Sequence, residues 1–135
     1  MKILIIDDDP SVTDLLELIL TPTQAEIQHA YDGEQGAGML REFVPDIILL
    51  DYMMPGMDGM ETTRRIRKVT KTPIIILSVL NDPIKLARVL DAGADDYLIK
   101  PVSRGVLIAH INNLLRRCDE TNHERPPLQV SLQSA

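Results

Sequence analysis

The chain has 135 residues, 44% of them hydrophobic, and a formal net charge of −6, which fits one acidic domain long enough to bury most of its apolar surface. That charge, with 3% aromatic residues and no tryptophan, argues against direct nucleic-acid binding, which wants a basic patch or stacking rings. No apolar run nears the roughly 20 residues of a membrane span, Met1 to Ile6 leads into acids and not a cleavage site, and Cys118 stands alone, so a soluble, cytoplasmic protein with no membrane partner and no internal disulfide is expected.

Ile3 to Ile6 is a continuous aliphatic run, as in a strand buried on both faces, and it stops at Asp7-Asp8-Asp9-Pro10. Asp9 or Ser11 can cap the helix that follows. There Val12, Leu15, Leu16, Ile19 and Leu20 fall at offsets of 0, 3, 4, 7 and 8 and predict an inward apolar face. Thr21-Pro22-Thr23 ends it. Ala25 to Ala30 is a weaker strand, and Tyr31-Asp32-Gly33 turns into a helix from about Glu34 to Glu42. Gly36 and Gly38 each weaken that helix by about 1 kcal/mol relative to alanine.

Pro45-Asp46 precedes a third strand, Ile47 to Leu50, which ends at Asp51. A loop with Pro55-Gly56 and Asp58-Gly59 leads to a helix that turns Met60, Ile66 and Val69 inward and places Arg64, Arg65, Arg67 and Lys68 on a solvated face. Ile74 to Leu77 makes a fourth strand, closed by Ser78. A helix from about Pro83 to Ala92 stops at Gly93, the residue type favoured just past a helix end. Asp95 to Ile99 is a short strand halted by Lys100-Pro101. The last helix starts near Ser103 with Val106, Leu107, Ile111, Leu114 and Leu115 as its apolar positions, and Arg116 and Arg117 complement its negative end. Past Cys118 the composition turns polar around Pro126-Pro127, which divides the chain into a domain at 1–118 and a linker or disordered tail at 119–135.

Five alternations of strand and helix predict a parallel sheet with helices on both faces. Taken alone, Asp51 reads as a turn or cap acid, but a parallel sheet brings the strand ends to one edge. Asp7, Asp8, Asp51, Ser78 and Lys100 then converge. Two carboxylates about 4 Å apart repel by about 4 kcal/mol at an effective dielectric of about 20, so three together call for compensation. Mg²⁺ supplies it, since that ion takes oxygen ligands and commonly one or two carboxylates. The mixture suits phosphoryl transfer to a carboxylate, which needs positioning and charge neutralisation more than covalent help. Asp51 is the nucleophile in this reading, Asp8 a metal ligand with Asp7 beside it holding a water of the ion, and Ser78 and Lys100 partners of the phosphoryl oxygens.

Ile5-Ile6-Asp7-Asp8-Asp9, Leu49-Leu50-Asp51 through Pro55-Gly56-Met57-Asp58-Gly59, Ile75-Ile76-Leu77-Ser78 and Gly93-Ala94-Asp95-Asp96-Tyr97-Leu98-Ile99-Lys100-Pro101 together resemble the receiver domain of two-component response regulators, over about residues 1 to 117. The resemblance implies a flavodoxin-like (βα)5 doubly wound α/β sheet with strand order 2-1-3-4-5. It implies that Asp51 accepts a phosphoryl group from a sensor histidine kinase, with Mg²⁺ held by Asp8, Asp51 and the backbone carbonyl of Met53. A cis peptide at Lys100-Pro101 is also inherited from it, as is a switch role for Tyr97, whose ring turns inward once Ser78 moves toward the phosphoryl group. Such a domain is a regulatory phosphoacceptor and not an enzyme, although it assists its own phosphorylation and dephosphorylation. Its output face, formed by the fourth helix, fifth strand and fifth helix, controls an attached domain, with transcription regulation the expected output, or a separate partner.

The sequence departs from the family at several points. Val79 stands where a small residue is usual, and Met53 and Leu80 where many relatives place polar residues that orient water, so slow loss of the phosphoryl group is expected. Val102 replaces a common phenylalanine. Leu86 and Val106 are apolar where relatives pair a base with an acid, while Asp96 keeps a candidate partner in His110, so the resemblance implies a homodimer on the output face with an apolar centre. His29, His110 and His123 lack metal-ligand spacing and read as surface residues. Two rivals remain: a stand-alone module acting by docking, and a metal-dependent aspartyl phosphatase. Phosphatases of the haloacid dehalogenase type want a second aspartate two residues after the first, a position held here by Met53. A module that is never phosphorylated has no need of mutually repelling acids.

Overall fold

A computed structural model describes residues 1–118 of the chain. Each aliphatic run becomes a strand: β1 (Lys2–Ile6), β2 (Glu26–Ala30), β3 (Ile47–Asp51), β4 (Ile74–Ser78) and β5 (Asp96–Ile99). All pairings are parallel and the order is β2-β1-β3-β4-β5. Between the strands run α1 (Pro10–Leu20), a single 3-10 turn (Thr21–Thr23), α2 (Gly33–Met39), α3 (Gly59–Arg67) and α4 (Pro83–Asp91), and α5 (Arg104–Cys118) closes the domain. This is the flavodoxin-like doubly wound fold.

Alternation along the strands divides the core in two. Ile3, Ile5, Ile47, Leu49, Ile75 and Leu77 pack on one face with Leu16, Leu20, Leu107 and Ile111 of α1 and α5. Leu4, Ile6, Ile48, Leu50, Ile74 and Ile76 pack on the other with Ile66 of α3 and Val89 of α4. Every residue of β3 and β4 is buried, which explains why these runs are unbroken by polar residues. From β1 the chain steps outward to β2, then crosses back to β3 on the other side, so strand order reverses between β1 and β3. The crevice beyond their carboxyl ends is the ligand position of open α/β sheets.

An aspartate caps each of the first four helices. Asp9, Asp32, Asp58 and Asp82 accept from the backbone N–H of Ser11, Gln35, Glu61 and Ile84 at 2.9, 2.6, 2.9 and 3.0 Å. Each cap satisfies an otherwise orphaned donor, a gain of about 1 kcal/mol.

Several expectations are corrected. Leu15 is 55% exposed, because the buried stripe of α1 runs through Thr13, Leu16 and Leu20 and Leu15 stands about 100° from Leu16 around the axis. Thr13 is tolerated in that stripe because its hydroxyl donates to the Pro10 carbonyl at 2.9 Å. The second helix is shorter than expected, ending at Met39. Val69 is 63% exposed, since α3 stops at Arg67 and the chain has already turned. Arg67 is no solvated base: its Nε donates to the Gly93 carbonyl at 2.8 Å, Nη1 to the Thr72 carbonyl at 2.6 Å and Nη2 to Asp95 Oδ2 at 2.7 Å. Gly93 has φ +124, and a Cβ there would lie 2.7 Å from Arg67 Cγ, so glycine is required twice over. Asp95 also accepts from the Ile74 N–H at 2.9 Å, and β5 begins only at Asp96. His29 is half-buried, with Nε2 2.8 Å from Glu17 and its ring stacked on Tyr31. The expected tail at 119–135, with His123 and Pro126-Pro127, lies outside the described residues. No helix among the described residues is long and apolar enough to cross a membrane.

Candidate functional site

The strand ladder continues one residue past β1 and β5, and this places the charged side chains. Asp7 N–H donates to the Ala30 carbonyl at 3.0 Å, and Lys100 N–H to the Ser78 carbonyl at 2.9 Å. Asp51 and Ser78 are the last residues of β3 and β4. Asp7, Asp51 and Ser78 are buried, Asp8 is exposed, and Lys100 sits between. Its Nζ lies 3.1 Å from Asp7 Oδ2 and 3.3 Å from Asp51 Oδ1. Asp7 Oδ1 accepts from the Asp9 N–H at 2.9 Å, which leaves the other oxygen for the lysine. The Lys100-Pro101 peptide is cis.

One ammonium pairs with two of three clustered carboxylates. Oxygens of Asp7, Asp8 and Asp51 all lie within 4.8 Å of one another. Burial, and then the charge of Asp7, push the Asp51 carboxyl from 3.8 up to about 6, against the pull of Lys100 and a hydrogen bond from the Met53 backbone. An oxygen-only donor set with excess negative charge, open on the exposed side at Asp8, fits a hard divalent cation.

The loop after β3 is held tightly against the site. Gly59 N–H donates to the Tyr52 carbonyl at 2.8 Å, and a Cβ on Gly59 would lie 2.6 Å from Tyr52 Cα and 3.1 Å from the Asp51 carbonyl oxygen. Only glycine permits that approach, and Asp58-Gly59, which reads in sequence as plain turn chemistry, is a positioning element for Asp51. Met53 is 53% exposed and Val79 is 67% exposed, while Leu80 is half-buried.

Residues 3–112 match the response regulator receiver domain. The chain belongs to that family. It is 47% identical over 116 residues to the transcriptional regulatory protein AfsQ1 of Streptomyces coelicolor, a match covering 86% of this chain and 52% of that protein. The receiver thus spans about half the length of that curated relative. A solved two-component response regulator from Clostridium difficile superposes with TM-score 0.84 at 34% identity, covering 88% of this chain and 98% of that one. The BeF3-activated N-terminal receiver domain of Klebsiella pneumoniae RstA gives TM-score 0.81 at 32% identity, covering 86% and 99%.

In this receiver the two expected switch residues meet a common backbone unit. Leu80 N–H donates to Ser78 Oγ at 3.1 Å, and the Tyr97 hydroxyl donates to the Leu80 carbonyl at 2.7 Å. The Leu80 main chain therefore bridges Ser78 and Tyr97 through hydrogen bonds, a placement its apolar side chain gives no hint of. On the face made by α4, β5 and α5, Leu86 is half-buried and Val106 exposed. Asp96 and His110, expected as a pair across a dimer axis, meet within one chain instead: Asp96 Oδ2 and His110 Nδ1 are 2.5 Å apart, because β5 and the middle of α5 are neighbours.

Proposed function

We propose that Asp51 accepts a phosphoryl group from the phosphohistidine of a sensor histidine kinase, and that the change is passed to the α4–β5–α5 face. The observation that carries this reading is the buried Asp51 carboxylate flanked by Asp7 and by the shared ammonium of Lys100. An Asp51 oxygen attacks phosphorus in line, the P–N bond breaks, and its electron pair leaves on the imidazole. Attack needs the ionised carboxylate, which burial disfavours and Lys100 favours. Asp7, Asp8, Asp51 and the backbone carbonyl of Met53 are the residues that would hold Mg²⁺, whose chemistry here is to neutralise charge on the phosphoryl oxygens. Lys100 pairs with one phosphoryl oxygen. Ser78 gives up the Leu80 N–H to donate to another, which disturbs the Leu80 carbonyl that Tyr97 holds.

The protein so described is a regulatory phosphoacceptor and not an enzyme, working in the cytoplasm where kinases of this type present their phosphohistidine. By analogy with the curated relative, its output is control of transcription through an attached domain. Met53 and Val79, both exposed beside the site, shield the phosphoryl group with apolar surface and slow its hydrolysis. Labelling with acetyl phosphate and Mg²⁺ tests the assignment: the native protein takes up phosphate that a chase removes slowly, and Asp51→Asn takes up none. Uptake by the asparagine variant overturns the assignment of Asp51, and release within seconds overturns the shielding.

The phosphorylated form dimerises through the α4–β5–α5 face, where Ile84, Ile99 and Val106 are exposed. With Asp96 and His110 paired inside each chain, apolar contact and not their ion pair is the attraction. Val106→Glu should return the phosphorylated protein to a monomer in sedimentation; an unchanged dimer would place the interface elsewhere.

A further inference from the structure

A second surface owes nothing to the phosphoryl site. Between α2 and α3 lies a groove of about 550 Å³. Glu34, Ala37 and Gly38 of α2 line one wall together with Arg41 just beyond, and Arg65, Lys68 and Val69 line the other. The apolar part of the lining is small, Ala37, Gly38 and Val69, and Gly38 and Val69 are exposed. The rim is basic. Arg65 lies 3.7 Å from Glu34, a pair exposed on both sides and therefore weak. The side chains of Arg41 and Lys68 have no ion-pair or hydrogen-bond partner among the described residues.

We propose that this groove binds an acidic, aliphatic peptide segment of a partner protein. Complementarity of charge is the main ground. A chain of net charge −6 gathers three cations against one acid at this groove. Carboxylates of a peptide would pair with Arg41 and Lys68, while an aliphatic side chain would lie over Gly38 and cover Val69. Nucleic acid fits less well, because no aromatic side chain lines the groove for stacking and the rest of the surface repels phosphate. A second copy is the competing occupant, since its own surface is acidic, and self-association is therefore an outcome of the test.

The test is fluorescence anisotropy with the purified protein and a short labelled peptide of alternating glutamate and leucine. A glutamate-only peptide and a single-stranded oligothymidylate serve as controls. Saturable binding of the mixed peptide is expected, weakened by added salt. The double variant Arg41→Glu with Lys68→Glu should reduce affinity by about tenfold, because two favourable exposed pairs become repulsive. Gly38→Leu should reduce it by a similar factor while keeping or raising the melting temperature, since it adds bulk to the groove lining at a position where a Cβ meets nothing within 4 Å and leucine is the better helix former. The proposal is overturned if no saturable binding is found, or if either variant binds as well as the native protein. Equal affinity for the glutamate-only peptide or the oligothymidylate also overturns it, as does self-association of the native protein that the charge reversal abolishes.

Discussion

Between the sheet and helices α1 and α5, Ile3, Ile5, Leu20, Leu107 and Ile111 are buried in one apolar cluster. At the carboxyl edge of the same sheet, at the ends of its strands, Asp7, Asp51 and Ser78 are buried as well. The first region gains stability from every side chain it hides, about 1.5 to 3 kcal/mol for each large aliphatic. The second loses it: the Asp51 carboxyl is held up at about 6 by burial and by Asp7, with Lys100 restoring only part of the balance. Burial therefore has two uses in this receiver. The aliphatic face provides a frame, and the frame allows an edge where charges remain under mutual repulsion, as the proposed binding of a cation and a phosphoryl group requires.

The contrast can be broken from either side, and the core should give the larger effect. Ile111→Ala removes a fully buried side chain and should lower stability by about 3 kcal/mol in urea unfolding, while phosphate uptake per folded molecule stays as it was. A loss below about 1 kcal/mol would mean that α5 settles inward and that the frame is softer than its packing suggests.

Asp51→Asn should act with the opposite sign. With the folded pKa raised from 3.8 to about 6, the native state holds a proton that the unfolded chain has already released. The stability contributed by that protonated form is full below about pH 4 and is lost as pH rises through about 6. Asparagine cannot lose the proton. In the absence of divalent cations the variant should exceed the native protein by about 2 kcal/mol near neutral pH and by nothing below about pH 4. An equal stability across that range would show that Lys100 compensates the edge in full.

The same contrast explains what could be read from the sequence. Strands buried on both faces must be aliphatic throughout, so Ile47 to Leu50 and Ile74 to Leu77 announced themselves, and the first polar residue after each marked the edge. The strand ends alone thus bring Asp7, Asp51 and Lys100 together, with Ser78 at the end of the neighbouring strand. Helix faces were harder. Leu15 obeys the helical period and still points outward, because Thr13 occupies the stripe with its hydroxyl satisfied locally. Arg67 looked like one more solvated base, since its carbonyl partners at Thr72 and Gly93 are main-chain groups brought near only by the fold. The Leu80 link between Ser78 and Tyr97 was invisible for the same reason. Apart from helix caps such as Asp9, hydrogen bonds to the backbone leave little signature in residue type.

The helix α2 holds the smallest and sharpest form of the comparison, because it sets a glycine of each kind two residues apart. At Gly36 an added Cβ would lie 2.4 Å from Cδ1 and 2.9 Å from Cγ1 of Ile6, itself fully buried, so the glycine is there to let helix and sheet approach. At Gly38 the same Cβ would meet nothing within 4 Å, so its flexibility costs stability with no packing in return. Gly38→Ala should therefore raise stability by about 0.5 to 1 kcal/mol, the helix propensity difference alone. Gly36→Ala should lower it by about 1 kcal/mol or more despite the identical propensity gain, because overpacking against Ile6 outweighs it. Urea midpoints of the two variants, measured side by side, separate close packing from propensity at one helix; a loss of stability in Gly38→Ala would mean that the second half of α2 is not helical in solution.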